Sequence, residues 1–364
     1  MTVNTSAHPR SHPAYREFAR VVEEVLAPVA AQVDRTEVPR SHLEALREVG
    51  YYRWFVPEQY GGVEIPPEVK AAADNLLFGA DPSTATIVTQ HGAPVAPAIG
   101  AGTPQTLALL PKLASGELFG GAGMGHVRSW PQRRGTVATR VPGGYRIDGV
   151  IGWHSGWGLT DVLWLGAVDE AREEYVFGIA DLHHSGITGR VLPLTAVYGS
   201  RTAELTLEGY LLSDAYVTEV VPVAEWKSRD GVVSLEVRRA QQIDPDVDPA
   251  DVPVLAPVGP YGLARAALDD ALRRHPAEPS LLALSEELEH AAATVLPDPH
   301  WRAVLDEIAV RATTAGVVAR GGAGLLDGDI AQVRARAAVF FQVRGLAPVV
   351  RAAHFETYAR AKRR

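Results

Sequence analysis

The spacing of the apolar residues changes twice along this chain, and that change restricts the fold more than any other feature of the sequence. From about Pro13 to Gly116 the period is helical: Phe18, Val21, Val22, Val25 and Leu26 share one face of YREFARVVEEVLAPVAAQV. SHLEALREVG reads as a second helix, opened by Ser41 as its cap and stopped at Gly50. Further on, GAPVAPAIGAGTPQTLALLPKLASGE predicts helix, turn and short helix, with Thr103 as a cap. Near residue 118 the period falls to two. GTVATRVPGGYRIDGVIGW alternates about a Pro-Gly-Gly turn, as a β-hairpin does, and DVLWLGAV, EEYVFGIADL and SRTAELTLEGYLL carry strands to about Val221. The acidic, proline-containing stretch 228–253 predicts a surface hairpin or loop, and the helical period returns after Pro260. The expected fold class is therefore multidomain α+β. It has an N-terminal helical domain over 1–118, a middle β-barrel domain, closed or nearly so, over 119–225, and a C-terminal helical bundle over 226–364.

Composition narrows the function classes. A chain of 364 residues suits two or three packed domains, and its net charge of −8 gives no basis for attracting nucleic acid or an anionic membrane. The absence of cysteine excludes disulfides, thiolate metal sites and a cysteine nucleophile. No apolar run approaches 18 residues and the first residues carry no apolar signal core, so the expected location is cytoplasmic. His91, His183 and His184 lack a third ligand at metal-binding spacing, so no metal is expected.

Four stretches in order carry a family resemblance. GYYRWFVPEQYGG (50–62) resembles the G-x-x-x-x-x-V-P-E-x-Y-G-G segment of acyl-CoA dehydrogenases, and LLPKLASGE (109–117) their L-P-x-L-A-S-G-E turn. GGYRIDGVIGWHSGWGLTDVLWLGA (143–167) and SRTAELTLEGYLLSDAYV (200–217) are similar to their W-I-T-N and T-A-E-L strand elements. The resemblance spans about residues 14 to 352. It implies an acyl-CoA dehydrogenase-like fold, FAD as cofactor and oligomerisation as a homodimer or homotetramer. An assembly with a related chain is the other form considered.

Residue by residue, the resemblance puts Trp153 against the flavin ring and the Ser155 hydroxyl near its N5 edge. AGMGHVRSWPQ (122–132) stands where the family has F-A-L-T-E-P-G-A-G-S-D. Met124 and Gly125 then offer backbone donors without the usual hydroxyl, while His126, Arg128 and Trp130 are new groups at a cleft edge. Gly321 and Gly322 match the glycine turn that cradles a neighbouring subunit's dinucleotide, yet the glutamine of that motif is Val318. Arg273 and Arg274 are the nearest stand-ins for the pyrophosphate arginine. FAD should accordingly be held weakly, or have been lost.

The family's catalytic glutamate falls in FFQVRGLAPVVR (340–351), which has no carboxylate. One register puts Arg344 there and another Gly345, and an arginine cannot serve as a base. The base position of isovaleryl-type enzymes maps to Val252, beside Asp251. Asp251 and His126 are thus the candidate catalytic bases, and Arg128 and Arg344 the candidate substrate contacts, Arg344 for an acidic part of the substrate or as a structural residue. The resemblance implies an FAD-dependent oxidoreductase acting on an acyl thioester, bound to CoA or a carrier protein, or on a specialised metabolite of secondary metabolism. The alternatives are a flavin-dependent monooxygenase of the same fold, a non-catalytic subunit of a hetero-oligomer, and a cofactor-free protein reusing the cleft.

Overall fold

A computed structural model describes residues 8–230, 235–252, 258–294 and 299–360. The N-terminal helices are α1 (Pro13–Val21), α2 (Ala30–Arg35), α3 (Arg40–Glu48), α4 (Pro67–Ala80), α5 (Pro82–Val88), α6 (Val95–Ala101), α7 (Pro104–Leu107) and α8 (Leu110–Ser115). Strands follow as β1 (Gly120–Gly123), β2 (Thr136–Val141), β3 (Gly144–His154), β4 (Val162–Asp169), β5 (Glu174–Asp181), β6 (Ile187–Val191), β7 (Ala203–Ser213) and β8 (Val217–Pro222). The C-terminal helices are α9 (Val223–Arg229), α10 (Leu235–Ile243), α11 (Pro260–Arg274), α12 (Pro279–Ala293), α13 (Pro299–Ala319), α14 (Ile330–Phe341) and α15 (Pro348–Arg360).

Local chemistry explains where these elements depart from the apolar period. The first apolar stripe is not one helix: a π-helical turn over Val22–Leu26 and a 3-10 turn over Ala27–Val29 separate α1 from α2. Pro28 lies in that break, where its missing N–H and bulky ring disfavour a continuous helix. Ser41 sits inside the first turn of α3 rather than capping it, because the cap position is Pro39, which makes no side-chain cap bond. Gly50 follows α3 at φ 73°, the left-handed geometry that glycine accepts most easily. Thr103 does cap α7, its Oγ1 accepting the Thr106 N–H at 3.1 Å. The stretch 228–253 forms no hairpin in its described residues. It carries the end of α9, the helix α10 and a 3-10 turn at Pro249–Asp251. Helix formers such as Arg238, Arg239, Ala240 and Gln241 outweigh the valine alternation there.

The sheet runs β6-β7-β3-β2-β4-β5-β8, with β1 paired in parallel to β4. It is an open sheet: β6 and β8 are its two edges and do not pair with each other. The barrel expected from the strand pattern therefore does not close. β6 has only five residues, and β8 ends at Pro222, which has no N–H to extend a ladder. Ile147, Leu163, Leu165, Val176, Leu205 and Leu212 fill the core of this domain.

The two helical regions share one core, which runs from Tyr15 and Phe18 through Leu77 and Phe78 to Leu263, Leu305 and Phe341. Their tightest seam is between α4 and α11. A Cβ at Gly79 would stand 2.7 Å from the Gly262 carbonyl oxygen, and one at Gly262 would stand 2.1 Å from that of Asn75, so both crossings need glycine. Asn75 Oδ1 accepts the N–H groups of Gly259 (2.9 Å) and Gly262 (3.1 Å), capping α11 from across the seam.

Candidate functional site

At the end of β3 the pairing with β7 shifts register between Ile151 and His154. Such a shift re-aims side chains, and the Trp153 indole within it is 58% exposed. An aromatic ring of that size left in water is a surface suited to cover another flat group. Two residues on, Ser155 is buried, and its Oγ lies 2.7 Å from Thr202 Oγ1, which in turn lies 2.9 Å from Ser200 Oγ. With Thr202 donating to Ser155, the Ser155 proton stays available to a ligand. His154 points inward. Its Nε2 meets Thr160 Oγ1 at 2.7 Å, its Nδ1 is buried without a partner, and burial lowers its pKa to about 4.

The loop after β1 forms a short 3-10 turn over Gly125–Ser129. Gly125 is exposed, and Met124 packs on the cluster of Val127, Tyr175, Phe177 and Trp226. His126 folds back against Gly135 and lies 2.6 Å by Nε2 from Thr136 Oγ1, whose own proton goes to the Gly166 carbonyl at 2.6 Å. His126 is therefore the donor and its Nδ1 the lone pair, buried without a partner, and burial lowers its pKa to about 4. Arg128 makes a two-pronged ion pair with Asp230, at 2.8 and 2.9 Å, with its guanidinium 5.6 Å from the Trp226 ring centre. Arg238 approaches the same carboxylate at 3.5 Å.

Arg344 lies in the turn after α14, its guanidinium 5.6 Å from the ring centre of Phe78 and 5.4 Å from that of Phe341. Its side chain is half-buried and makes no hydrogen bond or ion pair among the described residues. Burial, and then the nearby Arg302, lower its pKa to about 10. Asp74 on α4 exerts the attractive field there, but its oxygens are already committed, to Tyr51 Oη and Lys70 Nζ at 2.6 Å each. Sequence reading passed over this trio; the lone carboxylate in AAADNLLFGA was its available signal. Asp251 is exposed on its 3-10 turn.

Gly321 and Gly322 lie exposed, with nothing within 4 Å of a Cβ at either position. Val318, Leu325 and Leu326 are exposed around them. Nearby cations are already paired. Arg320 binds Asp270 and Asp329, while Arg273 and Arg274 both turn to Asp270. A flavin thus finds a partial fit here. Trp153 and Ser155 have the chemistry a flavin ring needs, and the two exposed glycines leave room for the phosphate chain of a neighbouring subunit's cofactor, but Arg273, Arg274 and Arg320 are occupied. No hydrogen bond or ion pair joins the β-domain candidates to Arg344, Asp251 or the glycine turn among the described residues. Those residues include no histidine–carboxylate group able to hold a metal ion, and no helix among them is long and apolar enough to cross a membrane.

Residues 12–117 match the family model of the acyl-CoA dehydrogenase N-terminal domain. No curated protein matches the chain by sequence. Among similar solved structures, butyryl-CoA dehydrogenase from Megasphaera elsdenii is 18% identical with a TM-score of 0.74, covering 97% of this chain and 99% of its own. Glutaryl-CoA dehydrogenase from Mycobacterium smegmatis is 17% identical, with a TM-score of 0.75 and coverage of 98% and 95%. A prolyl acyl carrier protein oxidase is 14% identical, with a TM-score of 0.72 and coverage of 95% and 99%.

Proposed function

We propose that the chain, whose residues 12–117 match the acyl-CoA dehydrogenase N-terminal domain and whose fold is that of acyl-CoA dehydrogenases, is an FAD-dependent oxidoreductase acting on an acyl thioester, carried by CoA or by a carrier protein. The observation that carries this reading is Trp153, a large indole left 58% exposed at a register shift of the sheet. Trp153 covers one face of the cofactor ring, Ser155 donates to its edge, and Met124 and Gly125 contribute backbone groups. Gly321 and Gly322 admit the phosphate chain of a neighbouring subunit's cofactor. When bound, FAD supplies a two-electron acceptor; the chain itself orients the acyl group, excludes water and takes up the α-proton.

Arg344 cannot take that proton. His126 is a poor acceptor, because protonating its buried Nδ1 places a cation in a site that already lowers its pKa to about 4. Asp251 is solvent-accessible and is the better candidate of the two. Replacing a positioned base lowers turnover by about 10²–10⁴-fold. Exchange of the thioester α-proton with deuterated solvent, followed by NMR, should slow by that factor in Asp251→Asn and stay near wild type in His126→Gln. Equal exchange in wild type and Asp251→Asn removes Asp251 from the mechanism.

The cofactor reading is tested by the visible spectrum and FAD stoichiometry of the purified chain. Each phosphate-side contact missing from this chain weakens binding by roughly 1.5–3 kcal/mol, about one to two orders of magnitude in Kd. The expected outcome is substoichiometric FAD that rises on titration in wild type and is lost in Trp153→Ala. A chain that takes up no FAD, or whose FAD is indifferent to Trp153→Ala, refutes it.

A further inference from the structure

Among the described residues Arg344 stands out as a half-buried guanidinium that rests against the edge-to-face pair Phe78 and Phe341, without a carboxylate or carbonyl partner. Other arginines at comparable depth are paired: Arg128 with Asp230, Arg336 with Asp34, Arg320 with Asp270 and Asp329. Even Arg334, whose pKa burial also lowers to about 10, donates its Nε–H to the Gly79 carbonyl at 2.7 Å. A half-buried cation without a protein partner has lost part of its hydration, and an anion that reaches it from outside restores what is missing.

Four charged side chains surround Arg344, and none of them bonds to its guanidinium. Arg302 and Arg239 add positive field at Arg344 and Asp74 and Asp306 oppose it, Asp306 with both carboxylate oxygens buried and without a hydrogen bond. Asp74 accepts from Tyr51 and Lys70, while Asp306 faces Arg302 at 3.5 Å and His354 at 3.4 Å. The turn itself is fixed from behind. Arg302 donates to the Arg344 carbonyl, and Gln342 donates through Nε2 to the Asp306 carbonyl at 2.8 Å. Phe341 is held in turn by Gly259, where a Cβ would stand 2.2 Å from its ring. A planar guanidinium resting against a pair of aromatic rings with no protein acceptor keeps N–H donors in a geometry that can match the two oxygens of a carboxylate.

We propose that Arg344 is a specificity-determining residue that binds a free carboxylate on the acyl group, so that the preferred substrate is an acidic acyl thioester, the monothioester of a dicarboxylic acid. The inference rests on the acyl-thioester reading above and gives that reading its substrate class. It also accounts for a cation in the segment where the family resemblance places a base: the residue recognises the acyl group and takes no proton.

The experiment uses the full-length protein and phosphopantetheine thioesters, the part that CoA and a carrier protein share. Binding is measured by calorimetry for the succinyl thioester and for its carboxamide isostere, alike in size and uncharged at that end. Wild type should bind the carboxylate at least about 10-fold more tightly, the discrimination given by one charge-assisted bidentate contact. Arg344→Gln should bring the carboxylate form down to the carboxamide form, and Arg344→Lys should restore part of the difference. Equal or absent binding of the two ligands by wild type overturns the proposal, as does an Arg344→Gln protein that keeps the preference. If Arg344→Gln does not fold, the wild-type comparison decides alone. Failure of the redox reading is distinguishable: a chain that never binds FAD but still prefers the carboxylate loses the first proposal and keeps this one.

Discussion

At the scale of single residues, one carboxylate does the work of two. Asp230 neutralises Arg128 in two-pronged geometry and stands 3.5 Å from Arg238, whose Nε is buried without a partner. Removing it in Asp230→Ala leaves two adjacent, partly buried cations facing each other. The variant should lose roughly 2–4 kcal/mol of stability, read as a lower urea midpoint at unchanged slope. Three buried histidines set a second expectation. Burial lowers the pKa of His91, His126 and His154 to about 4 from an ordinary value near 6.5. Between those values the unfolded chain binds more protons than the native one, so stability is complete about one pH unit above 6.5 and falls as the pH drops towards 4. Each contributes a loss of about 2 kcal/mol by pH 5. Urea midpoints at pH 7 and pH 5 should therefore differ, and His154→Gln should flatten the dependence by about one proton's worth. Little of this was legible in the sequence. Arg344 was visible there as a departure from the family pattern, but its lack of a partner depends on Phe78, Phe341 and Asp74, which only the fold brings close. Likewise, nothing local announces that Arg128 meets a residue 102 positions away, or that Ser155 meets one 47 away.

Among the elements, those whose signal is local were read well and those fixed by distant partners were not. Thr103 capped its helix because capping needs only neighbours within one turn. The strand alternation from β2 to β7 likewise survives in the sheet, since one face of each strand is apolar. α10 was missed because valine alternation and helix propensity compete over the same few residues, and the packing that decides between them lies elsewhere in the chain. Sheet closure was overestimated for a related reason: the strand pattern gives strand existence but not whether the edge strands β6 and β8 meet. The cap that Asn75 places on α11 is a further non-local device. Asn75→Ala should cost about 1–2 kcal/mol, because two helix-start N–H groups lose one acceptor. Hydrogen exchange should show the loss first at the start of α11, around Gly262 and Leu263. Uniform protection there in the variant excludes a capping role.

The whole molecule is a helical core assembled from both halves of the chain, with a sheet inserted between them in sequence. Asn75 and Gly259 are 184 positions apart, yet they bond directly. That arrangement has a consequence in time. At a synthesis rate of about 5–20 residues per second, the apolar face of α4 waits roughly ten to forty seconds on the ribosome before α11 exists to cover it. During that interval the sheet, whose strands all pair within residues 120–222, can form against the helices already made. A fragment over 104–229, which keeps Leu110, Leu113 and Trp226 on the sheet, should therefore be recovered folded, with β-type circular dichroism and a cooperative melt, while a chain ending between 230 and 258 should aggregate unless a chaperone holds it. In the cell, premature termination anywhere between the sheet and α11 is then worse than simple loss of function, because it releases a piece with a finished middle and an unpaired apolar surface.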